Sequence, residues 1–302
     1  MRRPAETPDP VLARIKSIVR VYDSARAAIM KELTKRDVSA YKELEAIKTA
    51  TRIAEIIRAL NAKMTEWVGK SISSTYRESS ASARVSLAVL GKRSPRGAFT
   101  REGHKAAVVD LYNQTVRDFT RANLTIKKNA DAVIGAVLLG ARAVARTYQA
   151  WDEFALSMAS ETFEQWSRTA VKEGWSRQRL SGMMHDYLLS SLEGEDFIEV
   201  NGRHFSLDYY AELVARTRLR EAQTEATKNM CAEYDNDLVE FSAHNSPCAL
   251  CAPFEGGVYS ISGRHPVYPP LTDEETPPIH PNCEHSISPT SDIAIEVRGE
   301  FV

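Results

Sequence analysis

The chain has 302 residues, 43% of them hydrophobic and 26% charged, with four cysteines and a formal net charge of -1. That length supports a sizeable core and about two domains, and the composition is ordinary for a globular protein. Four cysteines in so long a chain are too few for a secreted disulfide scaffold. The near-neutral total hides a split. Residues 1–190 carry 32 Lys and Arg against 20 Asp and Glu, and residues 191–302 carry 7 against 20. A basic half and an acidic half suggest two electrostatic surroundings, with nucleic acid or an acidic protein surface as the partner of the first. The competing reading is an excess spread over solvated helix faces.

No signal peptide is legible, because no apolar segment follows the charged start of the chain. The longest apolar run, Ala132–Ala141, is bounded by Asp131 and Arg142. It is far too short to span a bilayer, so no membrane association is expected.

In chain order, residues 1–9 are Pro-rich and polar and are expected to form a flexible arm. Residues 10–194 read as a helical domain. Apolar residues at helical spacing run from Val11 to Met30 and from Leu44 to Val68, with a weaker, Ser-rich continuation over Lys70–Leu90. Neither stripe is a sustained heptad, which favours a bundle over a long coiled coil. Gly91–Gly103 is a break with two further markers of exposure, a proline and four basic residues. Lys92, Arg93, Arg96 and Arg101 are the candidate contacts to DNA phosphates or to an acidic partner, against the plainer reading of a solvated loop. Helices are expected again over 104–128, 131–158, 160–174 and 176–192. The aromatic residues between Tyr148 and Trp175 read as core.

Residues 195–302 read as a small, loop-rich α+β module. Two short runs around Asn201-Gly202 predict a hairpin. A helix is expected over 208–234, then strands at Leu238–Ser242 and Val258–Ile261. Six prolines between Arg264 and Asn282 exclude regular structure there. The fold class is therefore mainly α, with this α+β module at the end.

The chemistry gathers between Pro247 and Pro289, which holds Cys248, Cys251, Cys283, His265, His280 and His285. Cys248-x-x-Cys251 is the spacing by which two thiolates reach one Zn²⁺ from a tight turn. Cys283 and His285 offer two more ligands, and His280 is the substitute or an orienting neighbour. Four of these five would close a tetrahedral, structural site, and the ion would supply order that a Pro-rich segment lacks. Two readings compete with it: cysteines that merely pack, and a redox Cys-x-x-Cys pair. Pro253 and Gly256-Gly257 oppose the helix that a redox pair normally opens. Cys231 lies within the expected helix and reads as a packing residue.

A catalytic zinc, hydrolase or deaminase-like, is the main functional alternative. Pro247-Cys-x-x-Cys matches part of the zinc deaminase signature, but its His-x-Glu half is missing. Cys231-Ala-Glu has that spacing but lies too close to Cys248 for the intervening strand and helix. Metalloprotease, Walker and nucleophile-elbow motifs are absent as well. A nucleic-acid-binding knuckle is disfavoured because Arg264 is the only basic residue between 247 and 289.

At these residues the chain resembles the minor capsid, or head morphogenesis, proteins of tailed bacteriophages. The resemblance covers residues 197–289. It rests on Gly202-Arg203, the Tyr210–Thr217 helix start, Cys248-x-x-Cys251, Gly256-Gly257-Val-Tyr-Ser, and His280-Pro-Asn-Cys283-x-His285-Ser-Ile-x-Pro289. Glu284 stands where that family typically has Arg. The resemblance implies a non-enzymatic, low-copy virion protein. It implies association with the portal protein, the major capsid protein and the inner capsid face during head assembly in the host cytoplasm. Some relatives carry a toxin or enzyme domain after this module; with thirteen residues following Pro289, none is expected here.

Overall fold

The computed structural model describes residues 10–34, 43–93, 101–143, 198–200, 203–205, 207–244 and 248–298. Three long helices come first: α1 (Pro10–Thr34), α2 (Glu43–Val89) and α3 (Arg101–Ala143). Their cause is visible in what they bury. On α1, Val11, Ile15, Ile18, Tyr22, Ala25 and Ile29 fall three or four apart and all are buried. That is one apolar stripe at the helical period. On α2 the stripe runs through Ile53, Ile57, Leu60, Met64, Val68 and Ile72 to Tyr76, Ala83 and Leu87. Pro10 opens α1, at the position where a missing N–H costs nothing.

α2 ends in a Schellman turn. The Lys92 amide donates to the Leu87 carbonyl and the Gly91 amide to the Ala88 carbonyl, with Gly91 at φ 73°. The expected break therefore lies between α2 and α3. Lys92 and Arg93 follow the turn, Arg101 starts α3, and Arg96 lies outside the described residues. α3 corrects one expectation. A boundary was expected near residue 129, yet the helix is continuous. Nothing there breaks a helix, and Ile126, Ala130 and Ile134 continue one buried row across the expected gap. The expected helices over 160–192, the aromatic core between 148 and 175, and the arm over 1–9 lie outside the described residues.

The short hairpin is present as β1 (Ile198–Val200) and β2 (Arg203–Phe205), antiparallel, with Val200 facing Arg203 across Asn201-Gly202. α4 (Leu207–Glu233) follows. Then β3 (Leu238–Phe241), β4 (Val258–Ser260) and β5 (Ile287–Pro289) form an antiparallel sheet in the order β4–β3–β5. A short α5 (Asp292–Arg298) comes last. β5 and α5 were not anticipated from the sequence. The fold is thus mainly helical with one small three-stranded sheet near its end.

The described residues group into two compact units. One draws on Met1–Ile18, Met64–Phe119 and Ala211–Val302, and the other on Val19–Lys63 and Thr120–Tyr210. In the second, Tyr22, Ile53, Leu60 and Ile126 are fully buried, and Asn123 donates to Asn61 at 2.6 Å.

In the first unit α4 is the central element. From Ala211 to Cys231 it has no exposed residue, although it carries Arg216, Arg218, Arg220, Glu221 and Glu225. Several of its polar side chains are matched to neighbours, although Arg216 Nε and Thr224 Oγ1 are buried without a hydrogen-bond partner among the described residues. Arg218 donates through Nε and Nη2 to one oxygen of Asp118 on α3, at 2.9 and 2.7 Å, and through Nη1 to Glu221 at 2.6 Å. Asn229 donates to the Tyr76 hydroxyl of α2, which is 2.9 Å from His104 of α3. On its apolar rows, Met230 packs with Ala83 and Leu87 of α2. Cys231 joins Val239, Phe241, Tyr259 and Ile287 in the core behind the sheet.

Candidate metal centre

Strand β3 delivers the chain to the first pair of cysteines, and the chain between them turns tightly. The amides of Cys251 and Ala252 both donate to the Cys248 carbonyl, at 3.1 and 2.9 Å. Cys251 then caps a 3₁₀ turn over Ala252–Phe254. Gly256 at φ 71° and Gly257 turn the chain into β4. A Cβ on Gly257 would lie 2.8 Å from the Tyr259 ring and 3.1 Å from the Phe254 carbonyl, so any side chain there would force the ring to shift.

The second half places its pair at the same spacing. After the Pro-rich loop, the Cys283 amide donates to the His280 carbonyl at 3.0 Å, with Asn282 at φ 65°. His280-x-x-Cys283 thus repeats the spacing and the amide-to-carbonyl bond of Cys248-x-x-Cys251, but through a turn with Asn282 at positive φ. β5 then pairs with β3, with Phe241 facing Ile287. The central strand therefore carries both halves of the cluster to one end of the sheet.

All five expected residues come together. The Cys248 and Cys251 sulfurs lie 3.3 and 3.0 Å from His280 Nε2. Cys251 and Cys283 are 3.8 Å apart, and Cys283 is 3.7 Å from His285 Nδ1. Among the described residues this makes two groups of three potential ligands, Cys248–Cys251–His280 and Cys251–Cys283–His285, sharing Cys251. Cys251, Cys283 and His285 are buried, while Cys248 and His280 are half-buried.

The electrostatics suit a cation. The amides of Cys251 and Leu250 point at the Cys248 sulfur and hold its thiol below the ordinary range. Burial, reinforced by the neighbouring Cys283, pushes the Cys251 thiol up to about 12. Such a thiol ionises readily only when a positive charge joins it, which a metal ion supplies. The imidazoles are oriented to match. His280 Nδ1 is 2.7 Å from the Pro281 carbonyl, and His285 Nε2 is 2.7 Å from the Glu255 carboxylate. Metal-binding histidines characteristically donate their remote N–H to such acceptors. The donor set therefore fits a thiophilic ion such as Zn²⁺.

Three features escaped the sequence reading. The His280-x-x-Cys283 knuckle had a signal, since its spacing repeats that of the cysteine pair. Glu255, which holds His285, had none beyond proximity to Cys251. Glu284 reaches Arg216 of α4 at 3.3 Å, so the departure from the usual Arg makes an ion pair within the chain. His265 takes no part: its Nδ1 accepts from the amides of Val267 and Tyr268, each at 3.3 Å.

No helix among the described residues is long and apolar enough to cross a membrane. No curated protein and no solved structure matches the chain. The hairpin, α4, the three-stranded sheet and both knuckles fall within residues 193–291, the third of the chain that matches the family model described as phage minor capsid protein 2.

Proposed function

We propose that this protein is a structural component of a tailed-phage head, present in few copies and associated with the portal and the inner capsid face during assembly. The observation that carries this reading is the family match over residues 193–291. In this reading the module is closed by a structural Zn²⁺ held by Cys248, Cys251, Cys283 and a histidine, His285 or His280. Cys251 is 1% exposed and Cys283 2%, which suits a clasp better than a site open to substrate. The partition into a helical part over 10–194 and a minor-capsid module over 195–302 belongs to the same proposal.

Mass spectrometry of purified phage particles tests the role. The protein is expected in mature heads or in procapsids, cross-linking to portal or major capsid protein. Particles that lack it at both stages, with the free protein abundant in infected cells, would refute the proposal.

DNA contact by the basic half is a second reading. Exposed basic side chains on α1, α2 and α3, among them Lys16, Arg58, Lys63, Arg84, Arg117 and Lys128, favour it.

A further inference from the structure

Five donors form two groups of three that share Cys251, whereas one tetrahedral ion needs four ligands, so a single ion must draw on both groups. The hydrogen bonds show that neither histidine is turned away. A backbone carbonyl can only accept, so the contact from His280 Nδ1 to the Pro281 oxygen at 2.7 Å places the ring proton on Nδ1. The bare Nε2 then faces Cys248 and Cys251. The Glu255 carboxylate accepts from His285 Nε2 at 2.7 Å, so the bare nitrogen of that ring is Nδ1, facing Cys283. Both imidazoles present a lone pair to the thiols. The Cys251–Cys283 separation of 3.8 Å is close to the roughly 3.8 Å that two thiolates would span at about 2.3 Å from one tetrahedral Zn²⁺.

The two rings differ in freedom. His285 is 3% exposed and is packed between Phe241 and His244, with ring centroids 5.3 and 5.0 Å away. His280 is half-buried and sits where the loop meets solvent. We propose that His280 and His285 are interchangeable fourth ligands of one Cys248–Cys251–Cys283 ion, with Glu255 as the positioning residue that keeps His285 ready. The ion then keeps four ligands when His280 swings out to solvent. This rests on the metal-clasp reading given above.

The test uses the full chain, zinc competition with a chromogenic chelator, and Co²⁺ spectra. His280→Ala and His285→Ala are each expected to hold a full equivalent of zinc, about tenfold more weakly than the parent. The double variant is expected to lose it. Glu255→Ala alone should be within about twofold of the parent. In the His280→Ala background it should weaken binding about 10- to 100-fold, and in the His285→Ala background it should do nothing. An empty site in one single variant beside a full one in the other overturns the proposal. So does an equal effect of Glu255→Ala with and without His280. Failure of His280→Ala to fold, with His285→Ala intact and keeping tetrahedral Co²⁺ bands, also counts against it. A parent protein that binds no zinc refutes the metal clasp itself.

Discussion

Cys251 is the residue on which the centre turns, because it belongs to both groups of donors and is the most buried of the three clustered cysteines. Cys251→Ser should therefore empty the site, with bound zinc falling below about a tenth of an equivalent and the sheet region losing its protection in hydrogen exchange. Metal analysis alone decides the first point. The five ligand candidates were legible because thiols and imidazoles at short fixed spacings have few other uses together. Glu255 was not legible, because a carboxylate becomes an orienting group only through the loop that returns His285 to it. Gly91 gives a backbone example. Its φ of 73° is one that a side chain disfavours, although nothing lies within 4 Å of the missing Cβ. Gly91→Ala should thus cost about 1 kcal/mol through the backbone alone, measurable as a shift in denaturant midpoint.

At the scale of elements, the helices were readable where their buried rows were regular, and the boundary expected in α3 is bridged by such a row. Lys127, Lys128 and Asn129 are polar, but the buried row of Ile126, Ala130 and Ile134 carries the helix through. β5 was unreadable for the opposite reason. Ile287-Ser-Pro has no strand pattern of its own and exists as an edge strand through pairing with β3. An edge position also tolerates Pro289, which need not donate on its open side. α4 adds a pH dependence. Burial raises the Glu221 carboxyl above its ordinary value, against the pull of Arg218. The folded state therefore binds a proton more tightly than the unfolded chain. That contribution to stability is complete below the unfolded pKa and fades as pH rises through the folded one. Glu221→Gln should flatten this part of the stability profile between acid and neutral pH in denaturant titrations. Asp118→Asn should instead destabilise by about 1–2 kcal/mol, because it weakens the acceptor of both Arg218 bonds.

For the whole molecule, the charge split makes a prediction independent of the metal. If the basic half touches packaged DNA, the full chain should bind duplex DNA with an affinity that falls steeply with salt. The slope of log K against log salt is about -0.9 for each phosphate neutralised. Neutralising Lys63 and Lys128 should reduce that slope by roughly two, and removing the zinc ligands should leave it unchanged. A salt-insensitive isotherm would refute DNA contact by these helices.

The paired knuckles also bear on what happens when the backbone is severed. One knuckle precedes the Pro-rich loop and the other follows it, and Asp273 and Glu274 at the loop's crest are exposed. A protease cut after Glu274 would give two polypeptides, one ending in the loop and the other beginning with it. The ion and the β3–β5 pairing would bridge the cut, so the nicked protein should travel as one species in gel filtration. With a chelator present the short C-terminal piece should come away. The clasp would then act as a reversible crosslink, doing for a cysteine-poor chain what a disulfide does elsewhere, but releasable by metal withdrawal rather than by reduction.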